Sequence, residues 1–146
     1  MADTSLGFRH RGCRIRGLGA TPASVQDLLF QGTETLTKGD MVNLESGEVD
    51  LAVTTDANLL GVVQETLSGT DSTTRIQVIV DETAIYGVYD ATARLKGATL
   101  DIAGTTGAQT VASSNNKEFV VWAESTAAEE TLVVFNVGKH HNNVAQ

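Results

Sequence analysis

Polar and apolar residues alternate in two neighbouring stretches of the N-terminal half. Met41–Glu45 and Glu48–Val53 each have a period of two, and Ser46-Gly47 separates them. Alternation on both sides of a two-residue loop that contains glycine predicts a β-hairpin, because successive side chains of a strand point to opposite faces. We expect one face of this hairpin to be buried, and it carries Val42, Leu44, Val49, Leu51 and Val53.

Short strand-like stretches continue to the end of the chain, and turn sequences such as Gly104–Gly107 separate them. Many short strands at this spacing predict an all-β fold, a small barrel or a sandwich of antiparallel strands. The predicted strands are Leu59–Thr66, Thr74–Asp81, Ala84–Tyr89, Thr99–Ala103, Gln109–Ala112, Phe119–Glu124 and Thr131–Val137.

Three of these strands are apolar on both faces. In one of them, Ile79 lies opposite to Ile76 and Val78, and the other two are Phe119–Trp122 and Leu132–Val137. Both faces of such a strand must be shielded from water. The second cover is either another layer of the same domain or another subunit, and the sequence leaves both open.

One stretch carries helix signals. Thr21 can cap a helix, Pro22 would occupy its first position, and apolar residues from Val25 to Leu29 follow at helical spacing. The stretch predicts a short helix, although residues 28–31 also fit an extended segment.

Basic residues are concentrated at the N-terminus. The chain has 146 residues and a formal net charge of -8, yet residues 1–16 hold four arginines against one aspartate. This asymmetry is typical of an arm that contacts an acidic partner, or of a solvated terminus. We therefore divide the chain into an extended basic N-terminal arm (1–20), a single β domain (21–137) and an irregular C-terminal tail (138–146).

The composition excludes several classes of protein. Cys13 is the single cysteine, so it forms no intramolecular disulfide and no zinc cluster built from cysteines. Apolar runs are far shorter than the roughly 20 residues of a membrane-spanning helix, and no apolar segment follows the first arginines as in a signal peptide. We expect a protein that is made in a cytoplasm and has no membrane partner.

Known catalytic and cofactor motifs are incomplete. Gly17-Leu18-Gly19 begins a dinucleotide fingerprint, but Pro22 stands at the third glycine position. Neighbouring pairs such as His140-His141 and Asp81-Glu82 diverge in an extended chain, which disfavours chelation or paired-carboxylate catalysis. We expect no enzymatic activity, no catalytic residue, no cofactor and no metal site.

Two segments on either side of the hairpin resemble a known class of proteins. Leu36–Val42, with Lys38-Gly39-Asp40 entering a strand, and Ala57–Val63, with its Leu-Gly-Val, resemble the small capsid decoration (cement) proteins of tailed bacteriophages. The resemblance implies a small β-barrel or β-tulip that forms a homo-oligomer, often a trimer. It also implies that the chain sits on the exterior of the virion capsid, binds the assembled major capsid protein lattice and braces it against genome pressure without contacting nucleic acid.

Within that role, the N-terminal arm is the candidate partner-binding segment, because an extended arm can add a strand to an exposed sheet edge and arginines pair with acidic groups. Its residues are Phe8, Arg9, Arg11, Arg14, Ile15 and Arg16. The alternative function is a carbohydrate- or receptor-binding β module of a phage tail or fibre.

Overall fold

The computed structural model describes residues 7–22, 25–29, 35–45, 47–53, 59–68, 75–113, 117–126, 129–136 and 139–140. Among them the chain is all-β, as the alternation predicts, and every strand pairing is antiparallel. The strands are β1 (Phe8–Cys13), β2 (Gly17–Leu18), β3 (Val25–Leu29), β4 (Thr35–Leu36), β5 (Met41–Glu45), β6 (Glu48–Leu51), β7 (Leu59–Val62), β8 (Leu67–Ser68), β9 (Arg75–Ile79), β10 (Ala84–Asp90), β11 (Thr99–Ala103), β12 (Thr110–Ser113), β13 (Phe119–Ala123) and β14 (Glu129–Phe135).

One large sheet dominates the fold. Its strand order is β12-β11-β13-β14-β10-β1-β2. A three-stranded sheet, β6-β5-β7, and two strand pairs, β3-β9 and β4-β8, complete the structure. This arrangement is that of a small sandwich or barrel-like fold. Hairpins join β1 to β2, β5 to β6, β11 to β12 and β13 to β14, and the other pairings join strands that are not consecutive in the chain.

The main core lies between the large sheet and the β6-β5-β7 sheet. At its centre four buried aromatic rings contact one another: Phe8 with Phe119 at 5.4 Å between ring centroids, Phe119 with Phe135 at 5.8 Å, and Tyr86 with Phe135 at 5.9 Å. Such offset and edge contacts stabilise a core beyond the apolar area that they bury.

A second core lies on the other face of the β6-β5-β7 sheet. Met41 and Leu59 point into the main core, whereas Val42 and Leu60 point into the second. Successive residues of these strands therefore belong to different cores, because their side chains alternate between the two faces of the sheet. The predicted hairpin is confirmed as β5–β6. Val53 is the exception on its predicted buried face, because it lies beyond the end of β6 and is 50% exposed.

The two-sided strands differ in what covers them. In β9, Ile76 and Val78 pack in the second core and Ile79 packs in the main core, so this strand is covered within the chain. In β13, Val121 is buried in the main core, whereas Trp122 on the outer face is only half-buried. The outer face of the large sheet therefore keeps accessible apolar surface.

The helix predicted after Thr21 is wrong. Val25–Leu29 is strand β3, which pairs along its whole length with β9 from Arg75 to Ile79. A single turn or two of isolated helix is marginal in water, and pairing with β9 satisfies the same backbone groups while Leu28 packs against the second core. Tertiary contact thus overrides the local capping signal.

The expectation that residues 1–20 lie outside the β domain is also wrong for the described part of that segment. Residues 8–18 are extended, but they form β1 and β2 of the large sheet, and Phe8 is 1% exposed in the main core. Residues 1–6 lie outside the described residues. In the C-terminal tail, His140 is buried and its Nε2 lies 2.8 Å from the Leu60 carbonyl oxygen, so this residue is not solvated.

Two buried polar side chains fix the hairpin against the large sheet. The Asp40 carboxylate accepts hydrogen bonds from Thr37 N and Gly107 N, each at 2.8 Å, and from the Thr106 hydroxyl. The Gln109 amide bonds both the N–H and the carbonyl of Met41. The Lys38-Gly39-Asp40 motif therefore has a structural role here, because Asp40 joins the turn before β5 to the β11–β12 turn.

Gly61 allows β7 to pack closely on β9. A Cβ at this position would overlap the Ile79 carbonyl oxygen. We expect Gly61→Ala to lower the free energy of unfolding by about 3 kcal/mol or more, because two backbones must separate. Gly47→Ala is the control, since its Cβ would meet no atom within 4 Å. Its positive φ should cost about 1–2 kcal/mol. Urea denaturation compares the two, and equal losses would contradict this account of the β7–β9 contact.

Candidate functional site

A bulge in β1 shapes the surface that the sequence singles out. His10 pairs with Tyr86, and Gly12 pairs with Ile85, so Arg11 is an extra residue between them. An extra residue inverts the side-chain alternation beyond it. His10 and Cys13 would lie on opposite faces of a regular strand, but here they share one face, opposite Tyr86 and Ala84 of β10.

Gly12 permits the short β2 to lie against the bulge. A Cβ on Gly12 would overlap the Gly17 carbonyl oxygen and crowd the Leu18 Cα. With glycine at this position, β1 and β2 pair through Gly12–Leu18 and Cys13–Gly17. The three residues between the strands, Arg14–Arg16, are thus held as a turn at the edge of the large sheet.

We call residues 14–18 the basic tip. Ile15 is 83% exposed and Leu18 is 62% exposed. Arg14 Nη2 donates to the Glu82 carbonyl oxygen at 3.3 Å, and Arg16 Nη2 donates to that of Thr21 at 2.5 Å. Each guanidinium group is thus anchored through one of its nitrogens, while both residues remain exposed. The tip therefore presents an apolar side chain between two cations.

The other two arginines of the predicted site, Arg9 and Arg11, both bind Glu130 of the same chain, and we call this arrangement the clamp. Arg11 Nη2 and Arg9 Nη2 lie 2.7 and 3.1 Å from Glu130 Oε2 on β14. Burial alone would raise the pKa of Glu130, but hydrogen bonds from Arg11 and Arg9 outweigh it and hold that pKa below its ordinary value. Gly87, between the two strands, leaves room for the Glu130 carboxylate.

The six predicted partner-binding residues therefore separate into three groups. Phe8 is in the main core, Arg9 and Arg11 hold Glu130, and Arg14, Ile15 and Arg16 form the tip. The expectation that Phe8 offers a contact surface is wrong, because burying its ring is part of what fastens β1 to the sheet.

Beneath the tip lies a group that we call the polar cluster: His10, Cys13 and Asp81. One ring nitrogen of His10, the Cys13 Sγ and one carboxylate oxygen of Asp81 all lie within 4.8 Å of one another. Cys13 and Asp81 are 1% and 5% exposed. The Cys13 thiol donates to Asp81 Oδ2 at 3.0 Å, and Arg16 Nη2 donates to the Cys13 sulfur at 3.3 Å.

Two buried polar atoms at the cluster lack a hydrogen-bond partner among the described residues, namely His10 Nε2 and the Tyr86 hydroxyl. The backbone of Val62 lies near the Tyr86 phenol and acts to lower its pKa. Burial raises the pKa of Tyr86 above its ordinary value, and the charge of Asp81 raises it further. Burial lowers the pKa of His10, although the charge of Asp81 opposes this effect.

A cleft of about 420 Å³ opens beside the cluster. Phe8, Arg9 and His10 of β1 form one wall, and Lys38, Gly39 and Val62–Gln64 form the other. His10 borders both the cleft and the polar cluster, so the cleft leads from the surface to its ring.

Sequence reasoning missed the polar cluster and the clamp. The sequence predicts no metal site, because there is one cysteine and because the neighbouring histidines His140 and His141 diverge in an extended chain. Asp81 and Glu130 reach β1 only through the pairing of β1 with β10 and of β10 with β14. The one signal in the sequence was the alternation of Phe8, Arg9, His10 and Arg11, which is that of a strand with one buried face.

No protein-family model matches the chain, and no curated protein matches it significantly. No helix among the described residues is long and apolar enough to cross a membrane.

The clamp gives a prediction about stability and pH. Glu130→Gln should lower the free energy of unfolding by about 1 kcal/mol at pH 7, because the pair is partly exposed. Since the folded pKa lies below the unfolded one, the clamp contributes fully above the ordinary glutamate pKa and is lost as the pH falls through the folded pKa. The wild type should therefore lose stability more steeply than the variant over this acidic range.

Glu129→Gln is the matched control, since Glu129 is the exposed neighbour on the same strand. Chemical denaturation from pH 7 down to pH 3 measures both variants. Equal effects of the two substitutions, or an unchanged pH slope in Glu130→Gln, would mean that the clamp does not stabilise the sheet.

Proposed function

We propose that this protein is a capsid decoration protein of a tailed bacteriophage, which works by binding and not by catalysis. Made in the host cytoplasm, it binds the exterior of the assembled major capsid protein lattice on the virion and stabilises it against the pressure of the packaged genome. The observation that carries this proposal is the basic tip, where the exposed Ile15 lies between Arg14 and Arg16 at the edge of the large sheet.

The chemistry of the tip suits an acidic protein surface with a small apolar depression. Burying the Ile15 side chain contributes about 1.5–3 kcal/mol. Each exposed arginine pair adds only about 0–1 kcal/mol. Such a contact is weak alone, so the proposed binding depends on several tips acting together on a repeating lattice.

Oligomerisation supplies several tips at once. The outer face of the large sheet offers apolar surface for a second copy of this chain, because Val120, Trp122 and Leu132 are only half-buried there. Lys96 Nζ lies 5.6 Å from the centre of the Trp122 ring, at the margin of this surface. We propose that the chain forms a homo-oligomer, and a trimer would place three tips on one lattice site.

A carbohydrate- or receptor-binding module of a tail or fibre is less well supported. Sugar-binding sites commonly use exposed aromatic rings, but Phe8, Tyr86, Phe119 and Phe135 are buried in the main core. Trp122 and Tyr89 are half-buried. The acidic body also disfavours nucleic acid as a partner, given the net charge of -8.

Cosedimentation with capsids tests the proposal. Phage particles from the natural source should contain the chain, and purified protein should bind shells that lack it but not free capsid protein. Ile15→Asp should weaken this binding about 10- to 100-fold, the equivalent of losing the apolar contact. Leu95→Asp is the control, because Leu95 is 73% exposed in a different loop.

Three results would overturn the proposal: absence of the chain from purified particles, equal binding to free capsid protein, or unchanged shell binding by Ile15→Asp. Binding to a glycan array tests the alternative function. Saturable binding to a glycan without shell binding would favour the tail or fibre module instead.

A further inference from the structure

We propose that His10, Cys13 and Asp81 bind one zinc-type divalent metal ion. This inference rests on the polar cluster alone and does not depend on the proposed function. The bulge of β1 places His10 and Cys13 on one face, and the β9–β10 turn brings Asp81 to them. Each of the three side chains offers a donor atom, and these atoms lie within 4.8 Å of one another.

The separation of the donors suits a metal ion of this kind. Ligand atoms bound to tetrahedral Zn²⁺ at about 2.0–2.3 Å lie roughly 3.5 Å apart. The Cys13 Sγ to Asp81 Oδ2 distance is 3.0 Å, so small side-chain movements bring all three donors onto one ion.

The donor types select the class of metal. Nitrogen, sulfur and carboxylate oxygen form a mixed set typical of Zn²⁺ and its neighbours in the first transition row. A thiolate disfavours Ca²⁺ and Mg²⁺, which prefer oxygen ligands. When the ion binds, the Cys13 thiol releases its proton to solvent and the sulfur takes up the metal bond in place of its hydrogen bond to Asp81.

Neighbouring groups orient the Asp81 ligand. The Thr83 N–H and hydroxyl donate to Asp81 Oδ1 at 2.8 and 2.6 Å. These bonds occupy one carboxylate oxygen and leave Oδ2 turned toward Cys13. Outer hydrogen bonds of this kind are usual at metal sites, where they fix the direction of the ligand.

The unpartnered atoms are the independent sign of a ligand. Nearly all buried polar atoms in proteins have a hydrogen-bond partner or bind water or an ion. The Tyr86 ring is fully buried, yet among the described residues neither its hydroxyl nor the buried His10 Nε2 has a partner. A metal ion bound by three side chains, with water completing its coordination, would satisfy such atoms.

The proposed ion would link two elements that carry the basic tip. Cys13 directly precedes Arg14, and Asp81 lies next to Glu82, whose carbonyl oxygen accepts from Arg14. Arg16 donates to the Cys13 sulfur from the far side of the tip. Metal binding would therefore fasten the β1–β2 hairpin to the β9–β10 turn, and its effect should appear as increased stability.

Cobalt binding tests the site directly. The metal-free full-length protein is titrated with Co²⁺ while the thiolate-to-cobalt charge-transfer band and the visible d–d bands are recorded. We expect one ion per chain, displacement of Co²⁺ by Zn²⁺, and a higher Tm with Zn²⁺. Because Cys13 is the single cysteine, a thiolate band in the wild type identifies it as a ligand.

Variants separate the proposed site from other donors. Cys13→Ser should lose the charge-transfer band, and His10→Gln and Asp81→Asn should each weaken Co²⁺ binding at least tenfold. His141→Gln and Asp50→Asn are the controls for stray binding by a tail histidine and a surface carboxylate, and both should bind as the wild type does. Circular dichroism checks that each variant is folded, and His10→Asn replaces any His10 variant that is not.

The proposal fails if the wild type shows no thiolate–cobalt band, because that measurement needs no variant. It also fails if folded His10 variants keep the wild-type affinity, if His141→Gln abolishes binding, or if half an ion binds per chain, which would indicate a site shared between two copies. None of these results bears on binding to capsids.

Discussion

The pairing of β1 with β10 is the constraint on which the other features of this protein depend. It places Phe8 in the main core and extends the large sheet to the edge that carries β2. The bulge within this pairing turns His10 and Cys13 to the same face, toward Asp81. A strand without the bulge would point Cys13 away from His10, so neither the polar cluster nor the orientation of the tip would form.

Buried polar groups specify how the layers fit together. Apolar contact between the large sheet and the β6-β5-β7 sheet provides most of the stabilisation but tolerates sliding, because it is not directional. Asp40 and Gln109 remove this freedom, since each of them is buried and bonds to backbone groups in defined positions. Leaving such a group unpaired costs about 1–3 kcal/mol, so shifted arrangements of the layers are disfavoured.

Local patterns predicted much of the fold and little of the site. Alternation across Ser46-Gly47 sufficed for the β5–β6 hairpin, because a strand pattern and its turn lie within a dozen residues. The helix prediction for Val25–Leu29 failed because its partner β9 is about 50 residues away. The cluster depends on a bulge, which has no reliable sequence signal, and on Asp81, which is 68 residues from Cys13. The concentrated arginines suggested an arm outside the β domain, whereas residues 8–18 form β1 and β2 of the large sheet.

The tip illustrates why that strand role matters for the proposed binding. A basic arm that is disordered before binding must lose conformational entropy when it docks, at roughly 1–2 kcal/mol per backbone residue. In this structure the backbone of residues 14–18 is already ordered by pairing with β1 and by bonds from Arg14 and Arg16 to carbonyl oxygens. In the proposed contact with a capsid, less of the free energy of the apolar and ionic contacts made by Ile15 and its neighbours would then be lost to ordering of the backbone. For the proposed weak, repeated contacts with a lattice, a hairpin that is paired within the sheet is therefore a better basis than an unpaired arm.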